Sequence, residues 1–277
     1  MRKEQEMMEL VLGIAQSDER IRAVYLNGSR ANPSINGDKY QDYDIVYIVT
    51  EISSFIEDKK FPQNFGTPLI IQEPHSPRPD THHAWLMLFQ DGVRIDLQIE
   101  NKEKNSFGED TLTIPLLDKD NILKEISLSN DKGYWIKKPT EAEYAASCNE
   151  FWWCLNNVAK GIKRQQLSYT MRMYMETVHL ELETMLDWFI AVQHNFELTT
   201  GMWGKHIKSY LPDELYESYK KTYLSAEDEK NSWQAIFTAC DLFHLLANDV
   251  GKRLNFTYAQ SDEDGMRAYL NMIKNNE

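Results

Sequence analysis

The sequence predicts an α+β protein: a β-sheet flanked by helices over residues 1–138, followed by an α-helical bundle over residues 139–277. Two patterns and the break between them carry that reading. Short apolar runs at residues 23–26, 45–49, 69–71, 84–89 and 93–99 fill the first half, and their lengths and alternation are those of strands. From Thr140 onward apolar residues recur every three or four positions, the period of packed helices. Lys137-Lys138-Pro139-Thr140 stands where one pattern gives way to the other and reads as the domain boundary.

Residues 4–16 place Met7, Leu10, Val11 and Ile14 on one face of an amphipathic helix that packs on the sheet after it. Ser17-Asp18 ends this helix, and the first strand begins near Ile21. A loop from 31 to 41, with Pro33, Asn36 and Gly37, separates it from the next strand, which Asp42 opens. Ile52, Phe55 and Ile56 suggest a short helix, and residues 69–71 another strand. Gln90-Asp91-Gly92 turns a hairpin between the runs at 84–89 and 93–99. His82 and His83 are adjacent on a strand and point to opposite faces, so they do not share a metal. The polar stretch 100–110 reads as a surface loop, and the apolar residues of 114–123 close the first domain.

In the second half Thr140 and Glu143 form a capping box. The helix they open buries Phe151, Leu155, Val158 and Ile162. Lys160 and Arg164, four apart, lie side by side on its surface. The next helix carries Met171, Met175, Val178, Leu182, Met185, Leu186 and Phe189 as a core stripe. Glu176, His179 and Glu183 line a neighbouring face, where Glu181 and Asp187 add acid; such a face suits a polycation or plain solvation. Gly201 and Gly204 are too close for a P-loop and shape the start of a helix. A long helix through Ile236, Cys240, Phe243, Ala247, Val250 and Leu254, then one from 262 to 274, completes the bundle.

The totals narrow the function. The chain has 277 residues, 42% of them hydrophobic, and a net charge of -13 from 30 basic and 43 acidic residues. That balance repels nucleic acid and favours a cationic substrate. The mean hydropathy of -0.56 is that of a soluble protein. No apolar stretch suits a membrane span and the first residues do not read as a signal peptide, so the expected location is the cytoplasm. Three cysteines, Cys148, Cys154 and Cys240, without metal spacing read as small core residues.

The chemistry concentrates between Leu26 and Val49. Gly28-Ser29 follows the first strand, and a glycine there lets backbone N–H groups and the Ser29 hydroxyl approach an anion such as a phosphate. Asp42 and Asp44 share one face of the next strand, a spacing that suits a hard divalent cation. Asp96 lies on the polar face of the run 93–99 with Arg94 and Gln98. A small-residue turn, a D-x-D strand and a third strand aspartate resemble the nucleotidyltransferase superfamily, whose sheet is mixed.

The helical half narrows the resemblance. Asn27-Gly28-Ser29-Arg30, Asp42-Tyr43-Asp44, Arg94-Ile95-Asp96, Glu150-Phe151-Trp152, Val158-Ala159-Lys160-Gly161, Gly204-Lys205 and Trp233-Gln234-Ala235 resemble the aminoglycoside 6-adenylyltransferases over nearly the whole chain. The resemblance implies transfer of AMP from ATP to a streptomycin hydroxyl, antibiotic resistance, and magnesium held by Asp42, Asp44 and Asp96. It implies Asp96 as a second-metal ligand or general base, unless a carboxylate of the helical half takes the latter role. Gly28, Ser29 and Arg30 would hold the triphosphate, joined by Lys160, Arg164 and Lys205. Glu176, Glu183 and Asp187 would receive the guanidinium groups of the drug. A monomer or weak homodimer without membrane or nucleic-acid partners is expected. A nucleotidyltransferase for another acceptor (protein, RNA or small molecule) and a non-catalytic nucleotide sensor are the alternatives.

Overall fold

The computed structural model describes residues 1–224 and 228–275. The chain divides into two compact units, Met1–Gly133 and Tyr134–Glu277. In the first, helix α1 (Glu4–Ser17) leads into strand β1 (Ile21–Asn27) and a 3-10 turn at Gly28–Ala31. Strand β2 (Tyr43–Val49) and helix α2 (Ser53–Glu57) follow, then strands β3 (Pro68–Gln72), β4 (His82–Phe89), β5 (Arg94–Asn101) and β6 (Thr113–Asp118). The strands lie side by side in the order β3-β4-β5-β2-β1-β6. β2 and β5 run parallel and all other neighbours antiparallel, so the sheet is mixed.

Alternation assigns the two faces of this sheet. Ile45, Tyr47, Ile95, Leu97 and Ile99 pack beneath Met7, Val11 and Ala15 of α1, and the Tyr47 hydroxyl donates to the Val11 carbonyl at 2.6 Å. On the opposite face Tyr25, Val46 and Ile48 are covered by Phe107 with Ile122, Leu123 and Ile126. Buried Glu100 pins that cover. It accepts from the Tyr25 hydroxyl at 3.0 Å and from the Ser106 N–H and hydroxyl at 2.8 Å each. Toward the other end of the same face Asp44 and Asp96 stay partly exposed.

Strand β6 is not legible in the sequence, because Pro115 interrupts its apolar run. A proline is tolerated there because β6 is an edge strand. His82 and His83 diverge as expected. The first lies within 3.1 Å of Ser76 and Gln98, and the second lies 3.2 Å from Glu73 with its ring against Trp85.

The second unit is helical: α3 (Glu141–Lys163), α4 (Leu167–Met173), α5 (His179–Gln193), α6 (Ile207–Tyr210), α7 (Asp213–Lys220), α8 (Glu229–Leu254) and α9 (Gln260–Asn275). Phe151 of α3 stacks on Phe243 of α8 with ring centroids 3.8 Å apart, inside a core shared with Leu182, Met185 and Leu186 of α5. The helix expected through Met171 and Phe189 is interrupted by a π turn at Tyr174–Val178. Such a turn fits an extra residue into a helix without breaking it. The three cysteines are free and buried. Among the described residues no helix is long and apolar enough to cross a membrane.

The capping box is complete: Glu143 N–H donates to Thr140 Oγ1 at 3.2 Å, and Thr140 N–H to Glu143 Oε2 at 2.7 Å. Thr140→Ala should lower stability by about 1 kcal/mol, read from chemical denaturation of the full chain.

Candidate active site

Strand register builds the site. Across β6, β1, β2, β5 and β4 the residues Thr113, Asn27, Asp44, Asp96 and Leu86 stand in one row. Asp44 and Asp96 are therefore direct neighbours on adjacent parallel strands, whose backbones run about 4.8 Å apart. Thr113 Oγ1 donates to Asn27 Oδ1 at 2.7 Å and fixes the start of the row. Asp42 sits one residue before β2.

The turn after β1 is shaped around Asp44. Gly28 has φ +73°, and a Cβ there would overlap Asp44 Oδ2 and lie 3.1 Å from its Cγ. Its N–H donates to the Leu112 carbonyl at 3.1 Å. What glycine provides at this position is room for a carboxylate; the Ser29 hydroxyl and the amides beyond Gly28 are the groups left to meet an anion.

Arg30 is built into the scaffold. Its Nε donates to the Asp42 carbonyl and its Nη2 to the Gln41 carbonyl, both at 3.0 Å. The guanidinium lies 3.8 Å over the Tyr43 ring, with Nη1 3.3 Å from Glu4, and its side chain is 8% exposed. These contacts make Arg30 a strap on the chain entering β2, a role that a basic residue beside Gly-Ser does not announce. Gln41 Nε2 ties the same chain to the Ser29 carbonyl at 3.4 Å.

Arg94, two residues before Asp96 on one face of β5, joins the carboxylates. Its Nε and Nη2 donate to Asp96 Oδ1 and Oδ2 at 2.8 and 2.7 Å. Its Nη1 lies 3.3 Å from Asp42 Oδ2. The paired Asp96, with the charges of Asp42 and Asp44 nearby, raises the Arg94 guanidinium above its ordinary value. The two-residue spacing of Arg94 and Asp96 was visible in the sequence, but the bridge to Asp42 depends on strand order.

As these side chains stand, no three His, Cys, Asp or Glu residues among those described converge into a metal-holding group. The donor chemistry nevertheless fits a hard divalent cation: Asp42, Asp44 and Asp96 offer only carboxylate oxygens. Two of them already hold one cation, the guanidinium, between them.

The residues singled out in the helical unit have separate environments. Lys160 donates to Asn156 Oδ1 at 2.7 Å, Arg164 caps the end of α3 exposed to solvent, and Lys205 is exposed after a 3-10 turn at Met202–Gly204. Glu176 lies in the π turn, exposed and paired with Arg172 at 2.9 Å. Glu183 accepts from the Tyr219 hydroxyl at 2.8 Å, and buried His179 places Nδ1 3.3 Å away. Burial pushes the Glu183 carboxyl up, but His179 and Tyr219 outweigh it and hold it below the usual range. Asp187 accepts from Thr200 Oγ1 at 2.7 Å, and burial raises its carboxyl despite that bond.

A mixed sheet that aligns aspartates across adjacent parallel strands, beside a Gly-Ser turn and ahead of a helical unit, defines a nucleotidyltransferase-type protein. The family model for streptomycin adenylyltransferase matches residues 1–273, and the chain belongs to that family. It is similar to the aminoglycoside 6-adenylyltransferase of Bacillus subtilis (strain 168), at 36% identity over 99% of this chain and 98% of that one. It resembles the enzyme of the same name from Campylobacter jejuni at 35% identity, over 95% and 93% of the two chains. The Staphylococcus aureus enzyme of that name is 31% identical over 100% and 99%. A crystal structure of an aminoglycoside 6-adenyltransferase from Bacillus subtilis aligns over 99% of both chains at 31% identity, with a TM-score of 0.49.

Gly28→Ala should cut turnover by about 100-fold or more while the protein stays folded, because the new methyl displaces Asp44; steady-state kinetics beside circular dichroism checks this. Asp187→Asn keeps an acceptor for Thr200 and removes a charge. Burial raises the Asp187 carboxyl above its ordinary 3.8, so the native state binds the proton better and the wild type loses stability as pH rises through that window. The variant should melt higher at about pH 8, and the two curves should converge below about pH 4.

Proposed function

We propose that the protein transfers AMP from ATP to a hydroxyl of streptomycin or a streptomycin-like aminoglycoside, releasing pyrophosphate and conferring resistance, with magnesium as its metal. The observation that carries this reading is the lateral pairing of Asp44 with Asp96, beside Asp42, in a chain of this family. Asp42, Asp44 and Asp96 are the residues that would hold the metal, which when bound neutralises charge building on the triphosphate.

The chain's own groups supply the rest. Ser29 and the amides beyond Gly28 bind phosphate oxygens. Arg30 and Gln41 hold the chain entering β2, so that Asp42 and Asp44 keep their places. Asp96 takes the proton of the attacking hydroxyl onto a carboxylate oxygen. That oxygen forms a bond to the α-phosphorus as the α–β phosphoanhydride bond breaks, and the electron pair leaves on pyrophosphate. On the helical unit Glu183 is partly exposed and ionised, which suits a guanidinium-bearing substrate.

Purified protein with ATP and magnesium should release pyrophosphate when streptomycin is added, and not with the drug or the metal left out. Release with none of a panel of aminoglycosides would refute the acceptor. Asp44→Asn should lower kcat by about a thousandfold or more with an unchanged melting temperature; wild-type turnover in that variant would remove the basis of the metal assignment.

A further inference from the structure

The guanidinium of Arg94 occupies the ground on which a divalent cation has to stand. Arg94 bridges two carboxylates at this end of the sheet, Asp42 and Asp96, with Asp44 the register neighbour of Asp96. Its fork takes both oxygens of Asp96 and its remaining nitrogen faces Asp42. A cation that coordinates Asp96 has to use an oxygen the fork already holds, at about 2.1 Å for magnesium rather than the 2.7–2.8 Å of the guanidinium bonds, and on Asp42 it meets Arg94 at Oδ2. The two cations also repel each other across so short a gap. They compete for the site.

We infer that Arg94 is the resident counter-ion of the carboxylate cluster and exchanges with the divalent cation, its guanidinium swinging off Asp42 and Asp96 as the metal binds. The geometry allows the movement. Arg94 is the first residue of β5, just after the hairpin, and its side chain is 45% exposed. It therefore moves without opening the core, whereas Arg30, at 8% exposed and bonded to two carbonyls, is fixed. The released guanidinium stands free beside the metal, suited to grip a phosphate group. Metal and nucleotide then bind cooperatively, because a phosphate that takes Arg94 removes the metal's competitor.

This inference rests on the reading that Asp42, Asp44 and Asp96 hold a divalent cation, and its test separates the two. Mn2+ binding is measured without nucleotide by electron paramagnetic resonance, on the wild type, Arg94→Gln and Arg94→Lys, with circular dichroism to confirm folding. Arg94→Gln should bind Mn2+ about fivefold or more tightly than the wild type, because the competitor is gone. Arg94→Lys, which keeps a charge but loses the fork, should fall between them. A non-hydrolysable ATP analogue should tighten Mn2+ binding more in the wild type than in Arg94→Gln. Equal or weaker Mn2+ binding by Arg94→Gln overturns the exchange. No Mn2+ binding by either protein overturns it together with the metal site. Tightening without pyrophosphate release on any drug supports the exchange and overturns the acceptor alone.

Discussion

Like charges do not gather at one end of a sheet unless the backbone compels them, and here the compulsion is the parallel pairing of β2 with β5. It is the one parallel contact among the described strands, and it sets Asp44 beside Asp96 at the distance of adjacent strands. A parallel neighbour cannot be reached by a tight turn. The chain between them supplies α2 and the β3 and β4 strands, so that β5 returns in the required direction. The long excursion from Val49 to Arg94 is the structural cost of bringing two carboxylates together.

Once the carboxylates are placed, the surrounding residues divide into those that make room and those that hold position. Gly28 makes room, at a backbone angle and a closeness to Asp44 that a side chain would spoil. Arg30 and Gln41 hold position by bonding to main-chain atoms. Such strapping suits a site that must keep its shape while Arg94 moves: one arginine of the cluster is rigid because its partners are carbonyls under cover, and the other is mobile because its partners are carboxylates at the surface.

The alternating strands of the sheet and the periodic helices of the bundle are legible from residue spacing, because each element's burial follows its own period. Asp44 and Asp96 are legible for the same reason, as acids on the polar faces of strands, and Asp42 by its place just ahead of one. The side-by-side stance of Asp44 and Asp96 is not, since register across 52 residues leaves no local mark. The scaffold role of Arg30 is hidden in the same way: its partners are backbone carbonyls, which every residue carries. The π turn is hidden because an inserted residue changes the phase of a helix without changing its composition, and it leaves Glu176 with an environment unlike that of Glu183 and Asp187.

Pro115 has a further consequence. An outermost strand offers its spare N–H and C=O groups to any other extended chain, and exposed edges of this kind seed aggregation. Pro115 has no N–H to give, and the register of β6 shifts beside it, so that the row of donors is broken. The residue that conceals this strand from a reader of the sequence also conceals its edge from other chains, and in a crowded cell that helps the sheet end where the fold requires it to end.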